Sequence, residues 1–480
     1  MTRIPPQGLA RDELFRRLEA FRSDDLDTTG GRTWAYVYDP GRDDIGDVAK
    51  QAFTMYLSEN GLDPTVFPSL MRMENDVVAM AAAHLNGDDA VSGSFTSGGT
   101  ESCMLAVKTA RDRARTHRPE VTEPEMILPV TAHAAFRKAG HYFGVKEVPV
   151  PVDPHTFRAD PEAVAQAVGP NTVLIVGSAV SYAHGVVDPI APMAAVAEEN
   201  DVLMHVDGCI GGFLLPFFRR LGDDVPDFDF TVPGVTSISM DFHKYAYAPK
   251  GASVVLYRDR ELRKHQLYAC ASWTGYTIIN PTMQSTKSGG PLAATWAVLN
   301  FLGDTGYLEI ARRTREATRR LVQGIGAIPD LRVLGRPEMS LVAATSDTVD
   351  VFTVIDEMKQ RGWYVQPQLT FQDSPANIHF SVTSASLERV DAMLADLEAS
   401  VAAARKQGVD EGAQQMSQAL AQLDPDALDA EQFDGLMEAA GMGGDGALPE
   451  RMAGINTILD GLPPALRERL LIEFVNRLFR

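Results

Sequence analysis

Two residues near the middle of the chain have the types and surroundings that Schiff-base chemistry needs. Lys244 directly follows His243, where a β-branched apolar run gives way to a turn containing proline and glycine. Upstream, Asp207 also follows an apolar run and precedes glycines. An amine can hold the aldehyde of pyridoxal phosphate, and a carboxylate can keep its pyridine nitrogen protonated. The pair therefore predicts a pyridoxal phosphate site in which Lys244 forms the Schiff base.

A glycine-rich segment further upstream is a candidate phosphate site. Ser97, Gly98, Gly99 and Thr100 follow one another directly and open a helical pattern. Backbone N–H groups at a helix N-terminus bind phosphate well, and the two hydroxyls add donors. The segment lacks the Gly-Lys-Ser/Thr of a Walker loop. By itself it is also typical of a glycine-rich turn with a threonine N-cap.

Two histidines extend the pattern. His133 follows the apolar run at residues 126–130, and we expect its imidazole to stack on the cofactor ring. We expect His243 to contact the phosphate or to steady the Schiff base. Taken singly, each histidine is more typical of an ordinary core or surface position, and Asp207 is equally typical of a helix cap. Together, however, the glycine-rich segment, His133, Asp207 and the His243-Lys244 pair follow one another along the chain, each at a predicted strand end. This arrangement favours a functional site.

The elements that position these residues are predicted from hydrophobic periodicity. Between about residues 125 and 257, short apolar runs alternate with helical patterns. Near-continuous apolar strands separated by helices indicate an α/β fold with a mostly parallel sheet covered on both faces. Ligands of such sheets bind at the carboxyl ends of the strands. Asp207 and Lys244 follow predicted strands, as a binding site in this fold requires.

The whole chain divides into four predicted regions. They are an N-terminal helical arm at 1–62, a large cofactor-binding domain at 63–305, a small C-terminal α/β domain at 306–405 and a helical extension at 406–480. The extension ends in an amphipathic pattern over residues 466–479, which we expect to dock on the body of the protein or on a partner chain.

Composition excludes several classes of protein. The 480 residues are 45% hydrophobic and 22% charged, as in soluble globular proteins. The net charge of −20 argues against nucleic acid or an anionic membrane as the main partner. No apolar run approaches the roughly 20 residues of a membrane-spanning helix, and the N-terminus is too polar for a signal peptide. Cys103, Cys209 and Cys270 lack metal-binding spacing, so we expect no metal site and a reducing cytoplasm.

Three longer segments carry a resemblance to a known family. Residues 96–102, 205–213 and 234–251 resemble the group II decarboxylase branch of fold-type I pyridoxal phosphate enzymes, and within it the sphingosine-1-phosphate lyases. The resemblance covers about residues 35 to 400. The run Tyr-Ala-Pro-Lys-Gly at 247–251 is typical of the lyase-like branch, whereas most amino-acid decarboxylases carry His-Lys-Trp.

The resemblance implies an aspartate aminotransferase-like fold with a large, seven-stranded, mostly parallel sheet. It also implies an obligate homodimer with active sites at the interface. Gly289 and Gly290 would then approach the cofactor phosphate of the other subunit. Ser239 and His243 would contact the phosphate within the same subunit, and Cys209 would also lie against the cofactor.

The same resemblance assigns roles to two tyrosines and exposes one departure. Tyr182 falls where the family places a catalytic tyrosine near the Schiff base, and Tyr38 where the lyases keep a tyrosine that meets the substrate's head group. Asp63 stands where the lyases usually have a substrate-binding histidine. A carboxylate repels a phosphate dianion unless its surroundings protonate it.

Three functions follow as hypotheses. The first is a carbon–carbon lyase that forms an external aldimine with an amine substrate and cleaves its Cα–Cβ bond. The second is α-decarboxylation of an amino acid, and Asp63 leaves the choice of substrate open. The third is a non-catalytic binding protein, against which the intact Lys244, Asp207 and His133 argue. The first two differ in which bond the pocket holds perpendicular to the cofactor ring.

Overall fold

The centre of the molecule is a seven-stranded sheet in the order β1-β7-β6-β5-β4-β2-β3. This computed structural model describes residues 3–423, 432, 433, 435 and 449–479. Strand β7 is antiparallel to both of its neighbours, and the other pairs are parallel. The predicted mostly parallel sheet is therefore confirmed. Its strands are β1 Ser92–Thr96, β2 Glu125–Pro129, β3 Lys146–Val150, β4 Thr172–Ser178, β5 Leu203–Asp207, β6 Ser237–Asp241 and β7 Ser253–Tyr257.

Both faces of this sheet are buried, which explains why its strands are apolar almost throughout. Along β4, Ile175 packs into one hydrophobic core, whereas Leu174 and Val176 pack into a second core on the opposite face. The helices of this domain are α3 Pro68–His84, α4 Gly99–His117, α5 Ala134–Phe143, α6 Pro161–Ala167, α7 Ile190–Glu199, α8 Gly211–Arg220, α9 Arg260–Lys264 and α10 Gly289–Ala327.

A smaller antiparallel sheet forms the second domain, in the order β10-β11-β13-β12. Helix α10 crosses the predicted boundary at 305 and connects the two domains, with a break at Gly303, whose φ is 57°. The elements are β10 Arg332–Val333, β11 Leu341–Thr345, α11 Val351–Gln360, β12 Gln366–Gln368, β13 Asn377–Ser381 and α12 Val390–Gln407, with a short 3₁₀ helix at Ser384–Glu388. A hairpin, β8 Tyr268–Cys270 and β9 Ile278–Asn280, precedes α10.

The N-terminal region is only partly a helical arm. Helices α1 Arg11–Phe21 and α2 Asp43–Met55 are joined by an irregular segment that is tied to the small domain. The indole of Trp34 is buried there, 6.5 Å from the ring of Trp363 and 6.2 Å from that of Phe380. Its backbone N–H donates to the carbonyl of Tyr364, at 2.8 Å. Long-range contacts of this kind leave no local signature in the sequence.

The described part of the C-terminal extension is helical, as predicted, with α13 Glu411–Leu420, α14 Ala453–Asp460 and α15 Pro464–Leu478. It docks on α11, because both oxygens of Asp356 accept backbone N–H groups of Met452 and Ala453, each at 2.9 Å. Arg451 also pairs with Glu357 at 2.8 Å. Among the described helices, none is long and apolar enough to cross a membrane.

Candidate active site

A cavity of about 360 Å³ opens at the carboxyl ends of the central strands. Glu101, Ser178 and Asp241 contribute to its wall. Ten of the residues predicted from the sequence also line it, namely Ser97, Gly98, Gly99, Thr100, His133, Tyr182, Asp207, Cys209, His243 and Lys244. The fold thus brings together residues that lie up to 147 positions apart in the sequence, from 97 to 244.

The glycine-rich loop connects β1 to α4, and its backbone packs closely against Asp241 and Cys209. A Cβ at Gly99 would lie 2.7 Å from Oδ2 of Asp241 and 2.8 Å from Sγ of Cys209, so only glycine fits. Gly98 is the N-cap of α4, and no side chain caps this helix. The reading of Thr100 as an N-cap is therefore wrong, and its hydroxyl lines the cavity beside the helix N-terminus. Such a terminus suits an anion.

Glu101 stabilises this loop in a way the sequence did not indicate. Its Oε2 accepts the backbone N–H of Ser97 at 2.6 Å, and its Oε1 accepts that of Met283 at 2.7 Å. The carboxylate is buried. It therefore joins the loop to the segment that follows the β8–β9 hairpin.

Asp241 is the main residue that sequence reasoning missed. Its Oδ2 lies 2.9 Å from Nζ of Lys244, and its Oδ1 has no partner in the described structure. Burial alone would raise the pKa of Asp241, but attraction to Lys244 and His243 lowers it. Burial alone would lower the pKa of Lys244, but Asp241 outweighs it and the pKa is raised. The available signal was a carboxylate at the end of a buried strand, three residues before the lysine.

The ring of His243 is oriented by two contacts. Nδ1 accepts the backbone N–H of Ala252 at 3.3 Å, so the proton of the neutral ring is on Nε2, which lies 3.4 Å from Oδ2 of Asp241. Burial lowers the pKa of His243, so the ring beside Asp241 is neutral near pH 7. Asp241 therefore holds both members of the His-Lys pair.

Asp207 presents its carboxylate asymmetrically. Oδ1 accepts the backbone N–H of Cys209 at 3.0 Å and the hydroxyl of Ser239 at 3.4 Å. Oδ2 has no hydrogen-bond partner among residues 3–423 or the described C-terminal ones, and Asp207 lines the cavity. The N-cap of α8 is Ile210, so Asp207 does not cap that helix. One oxygen is thus left to pair with a ring nitrogen.

His133 caps a helix and also lines the cavity. It is the N-cap of α5, and Nδ1 accepts the backbone N–H of Ala135 at 3.1 Å. This bond fixes the exposed ring at the wall of the cavity, 6.4 Å from the ring of Tyr182. The capping role and a stacking role are therefore compatible.

The two predicted tyrosines occupy different positions. The hydroxyl of Tyr182 donates to Oε1 of Gln366 at 2.6 Å, and its ring stacks on His379 at 4.6 Å, so the small domain holds it. Tyr38 packs edge-on against Tyr245 at 5.1 Å, below Nζ of Lys250 at 4.8 Å, and does not line the cavity. Burial raises the pKa of both Tyr38 and Tyr182, so both phenols are neutral near pH 7.

Ser239 does not lie where the resemblance implied. It is fully buried, and its hydroxyl is 3.4 Å from Asp207 and 3.3 Å from His205. It does not line the cavity, because it lies behind Asp207 rather than beside the glycine-rich loop. We correct its expected contact with the phosphate to a contact with Asp207.

Three other predicted residues lie away from this cavity. A Cβ at Gly289 would lie 2.8 Å from the carbonyl oxygen of Glu59, and one at Gly290 would lie 3.0 Å from the ring of Phe53, so both glycines permit close packing within this chain. Asp63 is exposed and accepts the N–H and hydroxyl of Thr65, at 2.8 and 2.7 Å. These bonds lower the pKa of Asp63, so its surroundings keep it charged.

The cysteines are closer in space than their spacing indicated. Sγ of Cys103 lies 4.0 Å from Sγ of Cys209, and both are buried beside Asp207. Within 4.8 Å, the thiols and this carboxylate form a group of three possible metal ligands. Sequence spacing could not show this cluster, because Cys103 is on α4 and Cys209 follows β5.

The residues of the cavity fit pyridoxal phosphate. Asp207 offers an oxygen without a protein partner, Lys244 offers an amine at the wall, and Gly99 leaves space that a side chain would fill. The N-terminus of α4 suits the phosphate. The charge of Asp241 near this loop is offset by Lys244.

Comparisons with known proteins agree with this fit. The family model described as "Pyridoxal-dependent decarboxylase conserved domain" matches residues 35–345. A second model, "Pyridoxal-dependent enzyme, C-terminal putative HTH domain", matches residues 414–477, where the sequence predicted only a helical extension.

Among individual relatives, the chain is 41% identical to the sphingosine-1-phosphate lyase of Oryza sativa subsp. japonica, over 83% of this chain and 74% of the relative. It is 33% identical to the "Probable L-aspartate decarboxylase" of Pyrococcus furiosus, over 75% of this chain and 94% of the relative.

Solved structures show the same fold. The sphingosine-1-phosphate lyase of Burkholderia pseudomallei superposes with a TM-score of 0.80 at 38% identity, covering 85% of this chain and 93% of that chain. The glutamate decarboxylase of Lactobacillus brevis has a TM-score of 0.74 at 20% identity, covering 85% and 96%, and so supports the fold alone.

Proposed function

The chain belongs to the pyridoxal-dependent decarboxylase family and is a pyridoxal phosphate-dependent lyase, and we propose that it cleaves the Cα–Cβ bond of a phosphorylated long-chain amino alcohol. The observation that carries the proposal is the 41% identity, over 83% of this chain, to a sphingosine-1-phosphate lyase. The lyase-like run at 247–251 lies directly behind the cavity lysine and supports the same substrate class.

When bound, the cofactor supplies an electron sink for negative charge that develops at the substrate's α-carbon. Lys244 would hold its aldehyde, and Oδ2 of Asp207 would hold a proton at the ring nitrogen. The backbone at Gly98 and Gly99, with the hydroxyl of Thr100, would bind the phosphate. His133 would cover one face of the ring.

Cleavage of the Cα–Cβ bond requires a base for the 3-hydroxyl proton and an acid that returns a proton to the α-carbon. Tyr182 lines the cavity, and burial raises the pKa of its phenol, so the hydroxyl keeps its proton near pH 7 and is placed to act as the acid. Oε1 of Gln366 accepts the hydroxyl proton of Tyr182 at 2.6 Å and so orients the phenol. Lys244 is the second proton carrier, with Asp241 stabilising its ammonium form. Tyr38 is half-buried behind these residues and outside this cavity, so it would meet the head group of a substrate that extends beyond the cavity.

Amino-acid decarboxylation is the second candidate, and the 33% identity to the probable L-aspartate decarboxylase of Pyrococcus furiosus favours it. Asp63 does not decide between the two. Its carboxylate stays charged, because Thr65 stabilises the anion. A charged carboxylate opposes a phosphate group at short range. Within this chain, however, Asp63 is exposed and outside the cavity of Lys244, so it does not oppose a phosphate there.

The test offers sphingosine 1-phosphate and a panel of amino acids to the cofactor-loaded enzyme, with long-chain aldehyde and carbon dioxide both measured. We expect aldehyde from the phosphorylated base and no carbon dioxide. Lys244→Ala should abolish the product, whereas Lys264→Ala, which removes an exposed lysine paired with Glu261, should not. Carbon dioxide without aldehyde would overturn the proposal in favour of decarboxylation.

We also propose that the enzyme works as a homodimer in a reducing cytoplasm. Helix α1 supports the dimer, because its apolar residues Leu14, Phe15, Leu18 and Phe21 are 44 to 77% exposed in a single chain. The free Cys103, Cys209 and Cys270 suit a reducing compartment. Light scattering during gel filtration tests the dimer, and a monomer that retains full activity would contradict it.

A further inference from the structure

A row of buried polar side chains beneath Asp207 is not used by the proposed mechanism. Strands β5 and β6 are parallel neighbours, and their register places His205 beside Ser237 and Asp207 beside Ser239. Because side chains alternate along a strand, these four share one face. The face also carries Ser178 and Asp241 at its carboxyl end, and around His205 it is largely apolar, with the ring of Phe136 lying 5.7 Å from the imidazole. Polar groups in such a layer are costly unless they satisfy one another.

The hydrogen bonds of this row run in one direction. Nδ1 of His205 lies 2.8 Å from Oγ of Ser237, and Nε2 lies 3.3 Å from Oγ of Ser239. Burial lowers the pKa of His205 to about 4, so the ring is neutral and carries one N–H. The hydroxyl of Ser239 donates to Oδ1 of Asp207 at 3.4 Å, because a carboxylate only accepts. Ser239 can then accept from Nε2–H, and Nδ1 accepts the hydroxyl of Ser237.

The row ends on one particular oxygen of the cofactor-binding carboxylate. Oδ1 of Asp207 receives the hydroxyl of Ser239 and the N–H of Cys209, whereas Oδ2 has no partner within the described residues. The contacts of Ser239 to Asp207 and His205 are longer than ordinary hydrogen bonds. Contacts of this kind at active sites tighten when the complex forms.

We propose that His205 is a positioning residue, which acts through Ser239 to fix Oδ1 of Asp207 so that Oδ2 faces the ring nitrogen of the cofactor. This inference rests on the role given to Asp207 under the proposed function. His205 is fully buried and does not line the cavity, so it touches neither substrate nor cofactor. Among the described residues, its two ring nitrogens contact the hydroxyls of Ser237 and Ser239.

The tautomer of His205 tests the proposal without any change to the row. In protein labelled with ¹⁵N-histidine, we expect the resonance of His205 to report a neutral ring protonated on Nε2. The resonance is identified by its loss in His205→Gln. A ring protonated on Nδ1 would reverse the direction of the hydrogen bonds and overturn the proposal.

A pair of variants separates positioning from packing. His205→Leu removes the donor to Ser239, whereas His205→Gln can keep an N–H near the position of Nε2. We expect His205→Leu to weaken cofactor binding about tenfold to a hundredfold, as for loss of a hydrogen bond to a charged group. We expect His205→Gln to restore most of that affinity. Thr109→Val is the matched control, because it removes a buried hydroxyl bonded to Tyr257 at 3.0 Å, away from the cavity.

The decisive readout is the ¹⁵N chemical shift of the ring nitrogen in labelled cofactor bound to each variant. We expect it to move toward the unprotonated value in His205→Leu and to stay at the wild-type value in Thr109→Val. A wild-type shift and affinity in folded His205→Leu would overturn the proposal. Asp207→Ala distinguishes the two levels of inference. If the ring nitrogen stays protonated in Asp207→Ala, the role proposed for Asp207 is wrong. If it loses its proton in Asp207→Ala but not in His205→Leu, only the positioning role of His205 is wrong.

Discussion

The ammonium group of Lys244 lies 2.9 Å from the carboxylate of Asp241, which is almost completely buried. This pair stabilises the protonated lysine, although Schiff-base formation needs the neutral amine. We therefore expect Asp241 to set the pH at which the free protein captures its cofactor, a role that neither residue type reveals alone.

Replacing Asp241 by Asn should shift cofactor capture to lower pH. Attraction to Asp241 raises the pKa of Lys244, so removing the anion lowers that pKa and makes the neutral amine available earlier. We expect the rate of pyridoxal phosphate uptake by apo-protein to shift by at least about one pH unit. Stopped-flow absorbance across a pH series measures this shift. Glu261→Gln is the control, because it removes a carboxylate from an exposed lysine pair, and an unshifted Asp241→Asn profile would refute the assignment.

Gly99→Ala should cost the protein much of its cofactor affinity. The new Cβ would lie 2.7 Å from Asp241 and 2.8 Å from Cys209, so the loop or the carboxylate must move. Gly326→Ala, in α10, meets nothing within 4 Å and should leave binding unchanged. It should also raise the free energy of unfolding by up to about 1 kcal/mol. Titration of apo-protein with cofactor and thermal unfolding check both variants. Equal cofactor affinities in the two variants would contradict the need for glycine at position 99.

Tyr182→Phe should lower kcat by at least about a hundredfold, the usual contribution of general acid–base catalysis. The ring can still stack on His379, so the fold and cofactor affinity should change little. Steady-state rates and cofactor titration separate the two effects. Tyr142→Phe, at an exposed position, is the matched control. A Tyr182→Phe enzyme with normal kcat would remove this phenol from the mechanism.

The protein should lose stability as the pH falls from about 6.5 to about 4. Burial lowers the pKa of His184, His205 and His379 to about 4 each, below the ordinary value of 6.5. The unfolded chain then binds more protons than the folded one in this range, so unfolding becomes easier as the pH falls. Each histidine contributes a slope of up to about 1.4 kcal/mol per pH unit. Urea unfolding of His379→Gln across this range should show a shallower slope by about one proton, and an unchanged slope would contradict the burial argument.

The helix-turn-helix match in the C-terminal region does not lead us to expect DNA binding. The matched residues 414–477 contain four basic residues, all of them arginines, and eleven acids, so 4 − 11 gives a net charge of −7. Binding to phosphates depends on excess positive charge and weakens steeply with salt. Fluorescence anisotropy with duplex DNA at low salt should show no saturable binding. Salt-dependent, saturable binding would contradict this expectation.

The sequence predicted the parts of the site that local patterns encode. Asp207 and Lys244 follow strands that are apolar on both faces, and such strands occur almost only in covered parallel sheets. The sequence could not predict the position of Ser239, because a strand residue alternates between two faces and only the register with β5 places it behind Asp207. Asp241 was missed because its pairing with Lys244 depends on the positions of the two side chains, which the sequence does not show. Trp34 was missed as a link to the small domain because that contact spans more than 300 residues.

The contact between Trp34 and the small domain bears on both tyrosines of the site. Trp34 is bound to the small domain four residues before Tyr38, and the small domain also holds Tyr182 through Gln366 and His379. Both tyrosines also pack against the hydrophobic core of the central sheet, and Tyr38 lies edge-on against Tyr245. Each phenol therefore has contacts in both domains. A substitution that loosens the small domain should disturb both tyrosines, even where it lies far from Lys244.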